Sequence, residues 1–134
     1  LRPLGLRLSR VGVGSAAQDV LNHISFTGGA YGKVTHSDGS ANDGIVGTGD
    51  VLTIYDKNGG EMARYTFVIY GDVNGDGAVT SMDLLYVKRH ILGTKLLEEP
   101  YLTAADANRG NDGITSIDLL YIKRHILDIR YIEQ

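Results

Sequence analysis

One segment is written twice in this chain of 134 residues: TSMDLLYVKRHIL at 80–92 returns, nearly unchanged, as TSIDLLYIKRHIL at 115–127. Each copy follows an Asp/Asn/Gly-rich stretch with the residue types of a calcium loop. Helices of many sequences can hold a fold together, so near identity at exposed as well as buried positions asks for a further reason. Two matching surfaces imply something that reads them. The repeat therefore casts the C-terminal half as two loop–helix units in tandem.

Up to about residue 70 the pattern is different. VLTIY (51–55) and ARYTFVIY (63–70) alternate in side-chain type and are rich in β-branched and aromatic residues, and Lys57-Asn58-Gly59-Gly60 between them predicts a hairpin. Ser15 to Ile24 reads as a short helix with Ser15 as N-cap and Val20, Leu21 and Ile24 as its apolar stripe. Residues 28–44 read as loop with one strand. His23 and His36 stand isolated in this half, which fits surface or packing roles. Strand 63–70 runs directly into Asp72, which leaves no room for a helix before the first loop and argues that the two halves pack together. A short helix is expected over 98–105, with Pro100 in its first turn. The expected class is α+β, with a small β-rich module of immunoglobulin-like kind at 1–70 packed on an all-α module at 71–134.

The core of such a chain is small: ten aromatic residues, eight of them Tyr, and no Trp. Small cores often need a metal or a crosslink, and the absence of Cys rules out disulfides, so metal is the expected support. Residues 1–70 carry six acids and six bases, whereas residues 71–134 carry ten acids and seven bases, so the whole net charge of −3 sits in the second half. The acids gather in the loops, where ligands for a hard cation would be. The Lys-Arg pairs have acids nearby and form no basic patch for nucleic acid. No apolar run approaches the roughly 18 residues of a membrane span. No signal peptide is recognisable, and the opening LRPLGLRL reads as a cut piece of something larger.

The first loop can be numbered from Asp72 as position 1. Asn74 is then position 3, Asp76 position 5, Gly77 position 6, Ala78 position 7, Thr80 position 9 and Asp83 position 12. An EF-type loop uses side-chain oxygens at 1, 3, 5 and 12, a backbone carbonyl at 7 and Gly at 6. Asp72, Asn74, Asp76, Asp83 and the Ala78 carbonyl are therefore the expected ligands. Thr80 is also placed to cap the following helix, with Asp83 near its positive end. Ion binding and helix formation should then be coupled. The second loop, 106–118, has thirteen residues instead of twelve. Asp106 and Asn108 fit its start and Asp118 its end. Asn111 or Asp112 fills position 5, with the carboxylate of Asp112 preferred.

On a helical wheel, Leu84, Val87 and Ile91 cluster and should face the core, as should Leu119, Ile122 and Ile126 in the second copy. A second stripe lies about a quarter-turn away. It holds Leu85 and Leu92 rimmed by Ser81, Met82, Lys88 and Arg89, and its counterpart holds Leu120 and Leu127 rimmed by Ser116, Ile117, Lys123 and Arg124. An apolar pair framed by hydroxyl and cationic groups is the composition of a protein-binding patch. His90 and His125 fall on the opposite side and are expected at the surface.

GDVNGDGAVTSMDLLYVKRHIL and AADANRGNDGITSIDLLYIKRHIL resemble the two duplicated segments of a dockerin, over residues 71 to about 130. The resemblance implies two bound Ca²⁺ ions, secretion from a bacterium, and docking onto a cohesin of a scaffolding protein in complexes such as cellulosomes. The family's recognition positions match Ser81, Met82, Lys88 and Arg89, then Ser116, Ile117, Lys123 and Arg124, and two such similar copies imply that either helix could lead binding. The Ser-Met and Ser-Ile pairs depart from the Ser-Thr common in one dockerin class, and the long second loop is another departure. Residues 1–70 are similar to the small β-rich X-type modules that precede some dockerins, which implies a stabilising role.

Three other functions compete with a non-catalytic adaptor. A calcium sensor lacks support, because the first unit has no entering helix and no Met-rich groove is present. A purely structural, calcium-stabilised module would leave the repeated rim unexplained. An enzyme would need a nucleophile–base pair, and the carboxylates are committed to the loops.

Overall fold

The computed structural model describes residues 12–110, 113–127, 132 and 134. Along the chain these form α1 (Ala17–Asn22), β1 (Tyr31–Thr35), β2 (Val51–Tyr55), β3 (Glu61–Thr66), α2 (Ser81–Ile91), α3 (Tyr101–Ala105) and α4 (Ser116–Ile126). The strands make one antiparallel sheet in the order β1-β2-β3. Mixed α and β is thus the observed class.

The expected hairpin joins β2 and β3. Its turn is held by Asp56, whose Oδ1 accepts the N–H groups of Asn58 and Gly60, and Gly59 supplies the left-handed conformation at φ 86°. The ladder ends at Thr66, earlier than the expected 63–70. Beyond it the chain pairs with a loop: Phe67 N–H donates to the Asp50 carbonyl and the Phe67 carbonyl accepts from Gly49 N–H. The Thr48 hydroxyl then takes both backbone groups of Ile69. Phe67 to Tyr70 are therefore buried in sequence beyond the end of the ladder.

Helix α1 starts at Ala17, with Ala16 at its N-cap and no side-chain cap. Ser15 accepts the Gly12 N–H instead, so the expected Ser15 cap is corrected. Its carbonyl is engaged by Val46 N–H, beside a bridge between Ala16 and Ile45, and this pairing fixes where the helix can begin. Helix α3 is shorter than the expected 98–105, and Pro100 lies just outside it as N-cap. His36 is not isolated: its Nδ1 lies 3.2 Å from Asp50 Oδ1.

There are two apolar clusters. Ala17, Val20, Val34, Val46, Leu52, Phe67 and Ile69 form the first, under the sheet. Tyr70, Val73, Val87, Ala105, Ala107, Ile122 and Ile132 form the second, between α2 and α4. They meet where Ile69 is followed by Tyr70, so the junction of the two halves lies within buried chain. Gln134 is secured there as well, since its side-chain amide accepts from Tyr70 N–H at 2.7 Å and donates to its carbonyl at 2.8 Å. Among the described residues no helix is long and apolar enough to cross a membrane.

Candidate metal centre and docking faces

The first loop turns around two carboxylates with no solvent exposure, Asp72 and Asp83. Asp72 Oδ1 accepts from Gly75 and Asp76 N–H, and Oδ2 accepts from Gly77 N–H at 3.0 Å and Thr48 N–H at 2.9 Å. Asp83 Oδ1 accepts from Val73 and Asn74 N–H, and Oδ2 from Thr80 N–H at 2.7 Å. Seven backbone donors thus stabilise two carboxylates. Gly75 and Gly77, at φ 81° and 84°, let the chain curl tightly enough to present them.

Asp76, exposed, completes the group: one oxygen from each of Asp72, Asp76 and Asp83 lies within 4.8 Å of the others. Burial pushes the Asp72 carboxyl up to about 7 despite its N–H donors, and the charges of Asp83 and Asp76 add to the rise. Burial also raises Asp83, again against its backbone donors. Three carboxylates converging in and beside the interior repel one another, and an oxygen-seeking divalent cation is the species that relieves this. Asn74 is drawn into the same turn, its Oδ1 accepting from Asp76 N–H and its Nδ2 donating to Asp76 Oδ2. Ala78 follows, half-buried, in the position expected to offer its carbonyl. The donor set of the first loop fits a hard cation.

The second loop repeats the end of the first. Asp118 is fully buried and accepts from Asn108 and Thr115 N–H, as Asp83 does from Asn74 and Thr80. Asp106 and Asn108 are half-buried beside it. Arg109 occupies the slot of Gly75 and takes φ 54°, the only positive φ at a non-glycine among the described residues. Its guanidinium lies 5.4 Å from the centre of the Tyr70 ring and reaches the Gln134 carbonyl. Asp112, and its alternative Asn111, lie outside the described residues.

Both helices start from the same reciprocal cap. Thr80 accepts from Met82 N–H while Asp83 receives Thr80 N–H, and Thr115 and Asp118 repeat the arrangement with Ile117. Each acidic residue therefore closes a loop and starts a helix, as the sequence suggested for Asp83.

The second stripe of each helix is left uncovered. Met82, Leu85 and Leu92, with Ile117, Leu120 and Leu127, range from 37% exposed at Leu85 to 75% at Leu92. Ser81, Lys88, Arg89, Ser116 and Lys123 are exposed and Arg124 is half-buried. Between the helices a groove of about 260 Å³ is lined by Leu84 and Lys88 of α2 and by Ser116, Leu119, Leu120 and Lys123 of α4, so the two faces adjoin.

The core stripe is partly corrected. Val87 and Ile122 are fully buried, and Leu84, Leu119 and Ile126 pack on them, but Ile91 is 40% exposed. His90 is half-buried, not a free surface residue, and its Nδ1 accepts Leu97 N–H at 2.9 Å. His125 does the same for Ile132 N–H at 3.1 Å. Each histidine thus accepts the backbone N–H seven residues on. The matching seven-residue spacing to Leu97 and Ile132 was a signal available in the sequence.

Residues 70–127 match the family model of the dockerin type I domain. No curated protein matches the chain. Two solved structures are similar to it, both of the third cohesin ScaC in complex with the ScaB dockerin from Acetivibrio cellulolyticus displaying a type I interaction. One carries an IN to SI mutation in the dockerin's N-terminal helix: 30% identity, 50% of this chain and 93% of that chain covered, TM-score 0.46. The other carries it in the C-terminal helix: 32% identity, 50% and 92% covered, TM-score 0.45.

Proposed function

Because residues 70–127 form a dockerin type I domain, we propose that the chain is a calcium-dependent adaptor that docks a secreted bacterial protein onto a cohesin of a scaffolding protein. The observation that carries this reading is the exposure of the same side chains on both helices. α2 and α4 carry the same side chains on surfaces left exposed among the described residues. Leu85 and Leu120 are the apolar centres; Lys88, Arg89, Lys123 and Arg124 with Ser81 and Ser116 form polar rims; Met82, Ile117, Leu92 and Leu127 extend the contact. Charge at the rim orients the partner, and the desolvated apolar centre supplies most of the affinity.

Asp72, Asn74, Asp76, Asp83 and the Ala78 carbonyl would hold one Ca²⁺, and Asp106, Asn108, Asp112 and Asp118 a second. The ion supplies positive charge where the carboxylates converge. Asp83 and Asp118, by accepting from both the loop and the first turn of the helix, pass that order on to the docking faces. The module is then two loop–helix units, 71–134, preceded by an X-type module, 1–70, that supports it. It works outside the cell in assembling a cellulosome-like complex, and it is not itself an enzyme. Recognition through near-identical helices allows the cohesin to engage either α2 or α4.

The test is titration of the full chain with a type I cohesin. Binding in calcium should vanish in chelator. Leu85→Ala, Lys88→Ala and Arg89→Ala together should cost little, since the other face remains. Adding Leu120→Ala, Lys123→Ala and Arg124→Ala should abolish binding while calcium is still taken up. Undiminished affinity in the six-fold variant would place recognition elsewhere.

A further inference from the structure

We propose that the segment 45–49 of the N-terminal half is a wall of the first ion site, with the Thr48 backbone N–H acting as a positioning group for Asp72. This rests on the calcium reading above and adds to it. The first site would be a joint product of both halves, and its affinity would be set in part by residues far from the loop in sequence.

The contact is short and built from backbone. Thr48 N–H reaches Asp72 Oδ2 across 24 residues at 2.9 Å, beside the loop's own Gly77 N–H on the same oxygen. Only glycine fits on both sides. A Cβ at Gly47 would collide with the Gly75 carbonyl oxygen and stand 2.9 Å from Gly77 N; one at Gly75 would stand 2.6 Å from the Thr48 carbonyl oxygen; one at Gly77 would stand 2.7 Å from Ile45 Cγ2. The wall is itself fixed. The buried Asp50 carboxylate accepts Gly47 N–H and the Asn42 side-chain amide, both at 2.8 Å, and the Thr48 hydroxyl is bonded to the Ile69 backbone. A donor held this rigidly fixes the orientation of the Asp72 carboxylate before any cation arrives. Groups that orient a ligand from outside the coordination sphere typically control metal affinity by 10- to 100-fold.

Gly47→Ala in the full chain tests this. Gly47 has no positive φ, so alanine brings no backbone strain, and the added methyl acts by pushing the wall off the loop. Gly44→Ala is the control, because the nearest atom to its Cβ is Asn42 Oδ1 at 3.8 Å. Calcium titrations followed by NMR read the two loops separately through the Gly77 and Gly113 amides. Gly47→Ala should weaken the first loop by about 10- to 100-fold and leave the second loop, and Gly44→Ala, as in the parent. Equal affinity at Gly77, or equal weakening of both loops, would overturn the inference. Should Gly47→Ala fail to fold, hydrogen exchange of the Thr48 amide in the unaltered chain decides: calcium must slow it, and an unchanged rate is refutation. An unaltered chain whose Gly77 and Gly113 amides both ignore calcium would instead refute the calcium reading itself.

Discussion

Asp83→Asn should separate the two tasks of this residue, helix start and ion ligand. The amide keeps the carboxylate's shape, and its single carbonyl can serve either the Val73 and Asn74 N–H pair or Thr80 N–H. At least one buried donor then faces an NH₂ group, which costs about 1–3 kcal/mol. Part of this returns, because Asp83 is charged only against the cost of burial and its charge helps to raise Asp72. In chelator the variant should therefore lose no more than about 1–3 kcal/mol. In calcium the loss should be larger. An ion held at a thousand times its Kd stabilises by about 4 kcal/mol, which at roughly 4 °C per kcal/mol for a chain of this size is about 15 °C in Tm. Thermal unfolding followed by circular dichroism, with calcium and with chelator, measures both. Asp83→Asn should lose the share of the calcium-induced rise due to the first loop, and the double variant with Asp118→Asn should lose nearly all of it. A single variant with the full rise would refute the assignment of Asp83 as a ligand.

The caps and the buried acid give further tests. Thr80→Ala and Thr115→Ala each remove the hydroxyl that accepts the amide of Met82 or Ile117, and each should lower stability by about 1 kcal/mol in urea unfolding; two unchanged midpoints would contradict the caps. Without calcium, Asp72 should make the chain less stable as pH rises. Its folded carboxyl titrates at about 7, above its unfolded value near 3.8, so its contribution is fully present below about 3.8 and is lost as pH passes through 7. The stability difference between the parent and Asp72→Asn in chelator should track that loss, and a difference independent of pH across this range would refute the burial argument.

Features encoded within one turn of chain were legible from the residues alone. The Asp72-x-Asn74-x-Asp76-Gly77 loop, the Thr80–Asp83 cap and the uncovered Leu85 and Leu120 faces all come from local spacing, and the structure places them accordingly. What escaped was carried by backbone or by distant segments. Thr48 reaches Asp72 through its N–H, which every residue but proline possesses, so only the glycines at 47, 75 and 77 marked the approach. Ile91 obeyed the helical period but is exposed, because the period fixes a direction and not what lies there. His90 and His125 looked like surface residues because their partners are backbone amides seven residues on. The β3 strand was overestimated for a related reason: Phe67 to Tyr70 have strand composition, but Phe67 and Ile69 pair with the 48–50 loop and Tyr70 with Gln134.

Isothermal calorimetry of the metal-stripped chain titrated with calcium, with helix content followed in parallel, measures the coupling on which the docking faces depend. The expected result is two ions per chain, with a gain in helical signal as they bind. Absence of heat together with an unchanged spectrum would mean that the acidic loops do not organise α2 and α4.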